Sequence, residues 1–487
     1  MTEPTIYELS SPGRIGVRYP ESDVPTFDIP ANLVRSDLPL PELSEVDVIR
    51  HFTHLSTLNY SIDTGLYPLG SCTMKYNPKI NEVTSRLPGF ANTHPLQPIE
   101  TVQGSLALMY NLQEQLKEIS GFAAVSLQPS AGAQGEFVGV KIIRAYHQSR
   151  GDSKRTRILI PDSAHGTNPA TSAMNGLEVI PIPSDSRGNV DLAKLHELCD
   201  DTVAGLMLTN PNTLGVFDEN VIEVVETVHK AGGLVYGDGA NLNALLGITR
   251  PGDLGFDVMH FNLHKTFSTP HGGGGPGSGP VGVAPHLVDF LPAPIVSIIE
   301  EATDEVPPLY GLTTPVKTIG RVKAFFGQFG VMVRAFTYIR MHGAEGLRQV
   351  AEYSVLNANY VLSKIRGKYT LPYDRSYMHE FVVEGCWSDA PDVHALDVAK
   401  RLMDYDFHPP TNYFPLIVHE ALMIEPTETE SKQVLDVFAD ALLKIADEAH
   451  ASPELLKEAP HHTPVGRLDE VKAAKELVLC CWLPESN

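Results

Sequence analysis

Cysteine is scarce in this sequence, and its few positions do not form a recognisable pattern. Five cysteines occur in 487 residues, namely Cys72, Cys199, Cys386, Cys480 and Cys481. An odd number scattered through a large chain argues against a disulfide framework and for a reducing compartment. The adjacent Cys480 and Cys481 lack the CxxC spacing of zinc or redox motifs, so we interpret the thiols as structural.

Long apolar runs and an excess of basic charge are also missing. No window approaches the roughly 18 uninterrupted apolar residues of a membrane span. The acidic opening MTEP lacks the basic region and apolar run of a secretory signal. A formal charge of −22 opposes binding to nucleic acid or anionic membranes, because phosphate contacts need Lys and Arg. We therefore expect a cytoplasmic protein that binds neither.

The chain divides into three stretches of different character. Its length predicts a large core and two domains behind an N-terminal segment. Residues 1–95 contain Pro-punctuated stretches such as 36–42 (SDLPLPE), which are typical of an arm that wraps a domain or a partner, or of a loosely ordered tail. We place a large domain at 96–330 and a smaller C-terminal α+β domain at 331–487.

Short apolar runs alternate with helical patterns in the large domain. Apolar residues recur at helical spacing from Leu106 to Ile119, and Gly121 is a typical C-terminal stop. Strands are predicted at 123–126, 157–160, 177–182, 204–208, 234–236 and 258–261, and further helices at 137–147, 191–199 and 220–231. This alternation indicates an α/β fold with a mostly parallel sheet that helices cover on both faces. Such sheets carry ligands in loops beyond the carboxyl ends of their strands.

The pattern changes after about residue 330. Candidate strands at 380–384 and 419–424 flank a helix at 393–405. The segment 427–430 (TETE) matches a capping box and predicts the start of a final helix that runs to about residue 449.

The first chemically unusual loop, 128–136 (QPSAGAQGE), lies between a strand and a helix. Its residues Ser130, Ala131, Gly132 and Ala133 leave backbone N–H groups open at a helix N-terminus, which suits a phosphate. A plain tight turn explains the small residues as well.

The second loop, 162–169 (DSAHGTNP), presents His165 among small residues. The imidazole could stack on a flat aromatic ligand, bind a metal, or bond to the backbone. Metal is the least favoured interpretation, because no second His or Cys stands nearby at ligand spacing. We therefore predict no metal site.

The third loop, 209–215 (TNPNTLG), places Thr209, Asn210 and Asn212 directly after an apolar strand. The dipeptides Asn-Pro and Leu-Gly are common in ordinary loops. The amides can also donate to a ligand oxygen.

The fourth loop, 236–241 (YGDGAN), carries Asp238 between glycines that let a ligand approach closely, followed by Ala240. A partly buried carboxylate requires a partner. A protonated ring nitrogen would serve, and so would an Arg elsewhere in the fold.

Lys265 follows an apolar strand and precedes a glycine run in 262–280 (NLHKTFSTPHGGGGPGSGP). Such a lysine can form a Schiff base once its neighbours favour the free amine. The run is not a Walker loop, because no Gly-Lys-Ser/Thr follows it. Its glycines permit close approach or movement at a site, and the flanking His264 and His271 disfavour a structural linker.

In chain order, these loops resemble the site of the fold-type I pyridoxal-phosphate enzymes. That family places a small-residue phosphate loop, a ring-stacking residue, an Asn-Pro loop, an aspartate for the pyridine nitrogen and a lysine that forms an aldimine. The resemblance implies that Lys265, 27 residues after Asp238, holds pyridoxal 5'-phosphate covalently. The cofactor-binding residues that it implies are Ser130, Ala131, Gly132, Ala133, His165, Thr209, Asn210, Asn212, Asp238, Ala240 and Lys265.

A narrower resemblance is to the glycine cleavage P-protein family. It rests on the segments 68–78 (PLGSCTMKYNP), 164–169 (AHGTNP), 237–241 (GDGAN), 262–267 (NLHKTF) and 270–276 (PHGGGGP), and it spans the chain to 463–470 (TPVGRLDE). Members are either one long chain of two related halves or two separate chains. This chain resembles the lysine-bearing second subunit of the two-chain form.

The resemblance implies decarboxylation of glycine and transfer of the aminomethyl group to the lipoyl arm of the H-protein. Asp238 would keep the ring nitrogen protonated and His165 would stack on the ring. Lys265, or His264 beside it, would move protons. The implied partners are a homologous subunit 1, with two copies of each chain in the complex, and the lipoylated H-protein. The 67–78 and 272–279 segments would shape the entrance for the lipoyl arm.

Two rival functions stay open at this point. A different fold-type I enzyme, such as a cysteine desulfurase, an aldolase or a decarboxylase of a larger amino acid, leaves the 67–78 segment unexplained. A catalytically idle scaffolding subunit is expected to lack the lysine or the aspartate, and both Lys265 and Asp238 are present. Yellow colour in the purified protein would exclude the idle subunit.

Overall fold

The computed structural model describes residues 3–35, 38–272 and 277–479. Cys480 and Cys481, the middle of the glycine run and the start of the 36–42 stretch lie outside these ranges. The chain forms two compact units, one of residues 1–65 with 458–487 and one of residues 66–457. Our domain boundaries at about residues 95 and 330 remain a proposal.

The described residues form thirteen α-helices. They are α1 (Glu45–Thr57), α2 (Lys79–Ser85), α3 (Pro88–Ala91), α4 (Gln103–Ser120), α5 (Gly132–Ser149), α6 (Thr167–Met174), α7 (Leu192–Leu198), α8 (Val221–Lys230), α9 (Phe329–Ile365), α10 (Ala395–Asp404), α11 (Lys432–Ala451), α12 (Pro453–Lys457) and α13 (Glu470–Lys475). The long α9 is interrupted at Gly343, whose φ of 61° is not helical.

Twelve strands accompany these helices in the same ranges. They are β1 (Ala124–Ser126), β2 (Arg157–Pro161), β3 (Glu178–Ile182), β4 (Val203–Thr209), β5 (Leu234–Gly239), β6 (Val258–Phe261), β7 (Val281–Val283), β8 (Ile295–Glu300), β9 (Leu309–Thr313), β10 (Phe381–Glu384), β11 (Thr411–Asn412) and β12 (Ala421–Ile424).

Seven strands form the main sheet of the 66–457 unit, in the order β1-β7-β6-β5-β4-β2-β3. Neighbouring strands are parallel except at β7, which is antiparallel to both β1 and β6. All seven residues of β4 are buried. Leu206 belongs to one apolar cluster and the adjacent Met207 to another. Because successive strand residues point to opposite faces, each face of the sheet has its own core.

The predicted α/β pattern is confirmed in this sheet. The helix predicted from Leu106 is α4, and it ends at Gly121 in the left-handed region, with φ of 78°. The six predicted strands are β1 to β6, and the three further predicted helices are α5, α7 and α8. The short helix α6, the strand β7 and the β8–β9 hairpin were not predicted.

A second, three-stranded antiparallel sheet has the order β10-β12-β11. All four residues of the central β12 are buried. Apolar residues of α10 and α11 share a core with this sheet. The strands predicted at 380–384 and 419–424 and the helix predicted at 393–405 are present as β10, β12 and α10.

The capping box predicted at 427–430 is wrong. Thr427 has a φ of 64°, and its hydroxyl lies 2.9 Å from that of Thr429. The carboxylate of Glu428 is engaged in an ion pair with Lys75 at 2.8 Å. The helix α11 instead begins after Ser431, whose Oγ accepts from the backbone N–H of Val434, and two further helices follow it.

The other unit contains α1 and α13. Ser44 caps α1 in a capping box with Asp47. Between residues 15 and 40 large apolar side chains are exposed, namely Ile15, Val17, Tyr19, Val24, Phe27, Ile29, Leu33, Val34, Leu38 and Leu40. Among the helices of the described ranges, none combines the length and apolar character that a membrane crossing needs.

Candidate active site

A cavity of about 360 Å³ lies where the parallel strands of the main sheet end. Loops that follow β2, β4, β5 and β6 line it together with the first turn of α5, residues 70–72 and parts of 411–414. The predicted site residues that line this cavity are Gly132, Ala133, His165, Thr209, Asp238, Ala240, His264 and Lys265. The fold therefore brings together predicted site residues that are up to 133 residues apart in the chain.

Four predicted residues lie beside the cavity without lining it. The Ser130 hydroxyl donates to Gln134 Oε1 at 2.9 Å, and Ala131 is the residue before α5. Asn210 Oδ1 accepts a backbone N–H at 2.9 Å, and Asn212 Nδ2 donates to a backbone carbonyl at 2.7 Å. These side chains shape the loops, and their role in binding a cofactor stays a prediction.

Lys265 lies in the turn that follows β6, in the wall of the cavity. Its Nζ donates to the carbonyl oxygen of Ser71 at 2.8 Å. Its backbone N–H donates to the carbonyl oxygen of Asn262 at 3.0 Å and closes the turn. The amine is therefore presented to the cavity from a short and well-bonded loop.

Asp238 lies near the end of β5, and its carboxylate is buried. Ala240 N donates to Oδ1 at 3.0 Å and Asn168 Nδ2 donates to Oδ2 at 3.1 Å. Burial acts to raise the pKa of Asp238, but His260, these two bonds and Lys265 outweigh it and hold the pKa below its ordinary value. The carboxylate is therefore ionised at neutral pH and suits a cationic partner.

Glu136 lies one turn into α5 and was not predicted as a site residue. Its Oε1 accepts from Thr167 Oγ at 2.7 Å and its Oε2 accepts from Asn168 Nδ2 at 2.9 Å. Burial, followed by the nearby Asp238, raises the pKa of Glu136 to about 7. The two carboxyl groups thus share the amide of Asn168 but have opposite pKa shifts.

His165 lies at the mouth of the cavity. Its Nδ1 is 2.9 Å from Thr167 Oγ, and its ring packs edge-on against Phe414 with centroids 5.6 Å apart. Burial lowers the pKa of His165, so the imidazole is neutral at neutral pH. A neutral flat ring in this position suits contact with the face of an aromatic ligand.

Another part of the cavity is a polar recess at the N-terminus of α5. A Cβ on Gly132 would lie 2.4 Å from Asn262 Nδ2, so any other residue there would displace the Asn262 side chain. The backbone N–H of Ser278 donates to His264 Nδ1 at 3.2 Å, which leaves the ring proton on Nε2. The buried Ser278 hydroxyl has no hydrogen-bond partner among the described residues. Donors gathered at a helix N-terminus suit an anion such as a phosphate.

His264 and the neighbouring His271 are both neutral. Burial, with His271 and Lys265 close by, lowers the pKa of His264 to about 3, and burial with Lys265 lowers that of His271 to about 4. Their ring centroids are 4.9 Å apart. Because the Nδ1 lone pair of His264 is already used, its free role at the cavity is that of a donor.

The site residues that the sequence analysis did not predict share one property. Glu136, Asn168 and Ser71 act through hydrogen bonds between elements that are far apart in the chain. Asn168 and Ser71 lie inside motifs that were recognised, but nothing in those motifs indicates which group they contact. For Glu136 the only signal was its place one turn into the helix that follows the small-residue loop.

The fold and the cavity together define an α/β enzyme whose site is built around a lysine and a buried, ionised aspartate. Comparisons with known proteins agree with this class. A family model described as "Glycine dehydrogenase, C-terminal domain" matches residues 350–461.

The crystal structure of glycine decarboxylase (P-protein) of the glycine cleavage system, in inhibitor-bound form, superposes with a TM-score of 0.73 at 20% identity, over 86% of this chain and 93% of that chain. The apo cysteine desulfurase from Thermococcus onnurineus NA1 superposes with a TM-score of 0.60 at 16% identity, over 79% of this chain and 95% of that chain. The predicted fold class is confirmed.

Relatives of similar length define the family. The chain is 56% identical to the probable glycine dehydrogenase (decarboxylating) subunit 2 of Alkaliphilus oremlandii, over 97% of each chain. It is 58% identical to the protein of the same name in Caldanaerobacter subterraneus subsp. tengcongensis, over 97% of this chain and 98% of that one. This chain belongs to the glycine dehydrogenase (decarboxylating) subunit 2 family.

Proposed function

We propose that this chain is the lysine-bearing subunit of a glycine decarboxylase, that it holds pyridoxal 5'-phosphate on Lys265, and that it releases CO2 from glycine. The observation that carries the proposal is the placement of Lys265 and the ionised Asp238 on one cavity. The identity of 56–58% to relatives that bear the glycine dehydrogenase name supports it.

The residues around the cavity fit this cofactor at both of its polar ends. The phosphate fits the recess formed by the α5 N-terminus, the Nε2–H of His264 and the hydroxyl of Ser278, which has no hydrogen-bond partner within the described part of the chain. The pyridine nitrogen fits Asp238, whose carboxylate carries the charge that a protonated ring nitrogen needs. When bound, the cofactor supplies an electron sink for the pair left behind as CO2 departs.

Asp238 holds the proton on the ring nitrogen in this proposal. Its own bonds to Ala240 N and Asn168 Nδ2 orient both carboxylate oxygens and keep them ionised in a buried position. The carboxyl of Glu136, with its pKa near 7, lies in the same network but adds less negative charge at neutral pH. The network therefore supplies one well-placed charge to the ring nitrogen.

Lys265 and His165 act on the two other parts of the site. His165 covers the face of the ring and excludes water there, with Phe414 packed against its edge. In its free amine form, Lys265 Nζ would be able to move a proton to or from glycine Cα. The Ser71 carbonyl holds Nζ at the wall of the cavity. His264, which has no free lone pair here, serves better as a phosphate donor than as a base.

The proposed partners are a homologous subunit 1 and the lipoylated H-protein, which receives the aminomethyl group. The name "subunit 2" borne by the relatives supports a two-subunit enzyme. The exposed apolar side chains between residues 15 and 40 would gain burial against such a partner. We propose two copies of each chain in the complex.

A glycine–bicarbonate exchange assay tests this function. The purified chain, its homologous partner and lipoylated H-protein should together exchange labelled bicarbonate into the carboxyl group of glycine. The exchange should need all three proteins and pyridoxal phosphate. An assembled, cofactor-loaded complex that exchanges alanine or releases sulfur from cysteine, but leaves glycine unchanged, would contradict the proposal.

A further inference from the structure

Two buried carboxyl groups face each other at one end of the small sheet. Strands β10 and β12 are antiparallel with Phe381 opposite Ile424. The residue before one strand, Glu380, therefore stands opposite the residue after the other, Glu425. Both side chains are fully buried. Like charges on opposed strand positions destabilise a sheet, and buried charges without partners are costly. Packing alone gives no reason for this pair.

Both carboxyl groups bind the backbone of one tight turn, residues 70–73. Glu380 Oε2 accepts from the backbone N–H of Ser71 at 2.6 Å, and Glu425 Oε2 accepts from that of Thr73 at 2.9 Å. Ser71 has a φ of 63° and Thr73 a φ of 44°. Neither is glycine, so this left-handed backbone is strained and must be held by its surroundings. The hydrogen bonds that Ser71 and Thr73 donate to the two carboxyl groups stabilise this conformation.

The same turn provides the acceptor for Lys265. The N–H of Ser71 is bound by Glu380, and its carbonyl oxygen accepts from Lys265 Nζ at 2.8 Å. Gly70 is also tied to the small sheet, since its carbonyl accepts from Thr411 Oγ at 2.9 Å. One short turn therefore connects the small sheet to the lysine at the end of β6.

We propose that Glu380 and Glu425 are positioning residues: they hold the 70–73 turn in its left-handed conformation and, through the Ser71 carbonyl, set the position of Lys265 Nζ. This proposal rests on the proposed function only for the role of the lysine. Burial and the facing Glu425 raise the pKa of Glu380, and burial raises that of Glu425 to about 7. The pair is thus less than fully charged at neutral pH, which reduces the repulsion between its members.

A bound metal ion is the competing explanation for the cluster. His379 is also fully buried, neither of its ring nitrogens has a hydrogen-bond partner among the described residues, and its Nε2 lies 3.7 Å from Glu425 Oε1. However, both oxygens of Glu380 already accept N–H groups, from Ser71 and from Asn241 Nδ2. Burial, with the ammonium groups of Lys75 and Lys265, lowers the pKa of His379 to about 3. A divalent cation would add charge where two ammonium groups already act, so we favour the positioning role.

The two glutamates should respond differently to substitution. Glu425 uses one oxygen for Thr73 and leaves Oε1 without a hydrogen-bond partner among the described residues. In Glu425→Gln the amide oxygen can accept from Thr73 while the NH2 group faces His379, so the turn should be kept. Glu380 uses both oxygens as acceptors, so neither Glu380→Gln nor Glu380→Ala can keep both bonds. Glu384→Ala, at the other end of β10, is the matched control.

Two measurements on the full-length chain test the proposal. The first is hydrogen–deuterium exchange of peptides that cover residues 66–75. The second is the rate at which a small acylating reagent modifies Lys265 in the cofactor-free chain, read by mass spectrometry. Glu380→Ala, Glu380→Gln and Glu425→Ala should speed exchange in the turn at least about tenfold and modification of Lys265 at least about threefold. Glu425→Gln and Glu384→Ala should stay within about twofold of the parent chain.

Three results would overturn the proposal. They are unchanged exchange in the alanine variants, faster exchange without any change at Lys265, and a stoichiometric divalent metal in the parent chain that Glu425→Ala loses. If the alanine variants do not fold, Glu425→Asp replaces them, because it keeps the acid but withdraws it from Thr73 by one methylene. Neither measurement uses glycine, so failure here is distinguishable from failure of the proposed function.

Discussion

The Nζ of Lys265 donates a 2.8 Å hydrogen bond to the carbonyl oxygen of Ser71, 194 residues earlier in the chain. The lysine belongs to the loop after β6 of the main sheet, whereas the turn around Ser71 is bonded to the small sheet. The contact therefore makes the position of the lysine depend on both sheets. It also places the lysine in the wall of the cavity.

Lys265 should be the residue that carries the cofactor. Borohydride reduction of the yellow protein, followed by peptide mapping, should find the pyridoxyl group on Lys265, and Lys265→Ala should be colourless. Lys75 is the informative control, because it is buried nearby but is held in an ion pair with Glu428 at 2.8 Å. A pyridoxyl group on Lys75, or on any lysine other than Lys265, would refute the assignment.

Asp238→Asn should leave a folded protein that binds cofactor but loses most of its turnover. The amide cannot provide the negative charge that keeps the ring nitrogen protonated. One lost charge-assisted bond is worth on the order of 1.5–3 kcal/mol, or roughly one to two decades in rate. Glycine–bicarbonate exchange measures the effect, with Asp253→Asn, an exposed partner of Arg250, as the control. Near-normal exchange in Asp238→Asn would assign the carboxylate a structural role only.

Replacing His165 should separate ring stacking from metal binding. His165→Phe keeps a flat ring and should preserve much of the affinity for cofactor, whereas His165→Ala should weaken it by about three- to tenfold, the range expected for one aromatic contact. Titration of the cofactor-free variants with pyridoxal phosphate, followed by absorbance, measures this. Activity that chelators abolish and zinc restores would overturn the stacking role.

Glu136 should make the stability of the protein depend on pH. With its pKa raised to about 7, the native carboxyl retains a proton that the unfolded chain has released above its ordinary value of 4.5. The free energy of unfolding contributed by this group therefore falls as the pH rises through that window and levels off above about pH 7. In Glu136→Gln the fall in the free energy of unfolding with rising pH should be smaller by roughly 1 kcal/mol or more than in the parent protein.

Urea unfolding at about pH 5 and pH 7.5 measures the difference. Glu226→Gln, on the exposed side of α8 and paired with Lys230, is the control for loss of a carboxylate and should keep the parent dependence. The same pH dependence in Glu136→Gln as in the parent protein would show that Glu136 is already ionised in the folded state.

The chain should be inactive without its homologous partner. The exposed apolar residues between 15 and 40 favour an obligate contact, which typically buries well over roughly 2,000 Å². Expression alone should give aggregates or inactive homo-oligomers, and co-expression should give a complex with equal numbers of both chains by native mass spectrometry. Full glycine-dependent exchange by this chain with H-protein alone would refute the requirement.

The strands of the main sheet were predicted well because a buried strand appears in the sequence as a short run of adjacent apolar residues. The strand β6 has the predicted bounds, since a short apolar run there stands between Asp257 and Asn262. Strand order, the antiparallel β7 and the pairing of Glu380 with Glu425 come from contacts between distant segments, which no window of sequence contains. The capping box at 427–430 was wrong because Thr427 has a φ of 64°, which is not the extended backbone of an N-cap, and Glu428 in the same segment is bound to the distant Lys75.

The candidate site was predicted in part. The order of the loops indicated which backbone segments meet at the cavity, and Asp238, His165 and Lys265 line it. The backbone role of Ser71 could not be predicted, because it depends on a left-handed conformation that its residue type does not favour. The Nδ2 of Asn212 donates to the carbonyl oxygen of Gly188 and its Oδ1 accepts from the backbone N–H of Leu214, which its place in the motif did not indicate.

The amide of Asn168, which bridges Glu136 and Asp238, has a consequence for the chemical ageing of the protein. Deamidation of asparagine usually proceeds by attack of the next residue's backbone nitrogen on the side-chain amide, and here the next residue is Pro169, which has no N–H. Asn210 precedes Pro211 in the same way. Conversion of Asn168 to aspartate would place a third carboxyl group against two others in a buried network. The proline closes that route, so the site should outlast the surface asparagines of the same chain in storage.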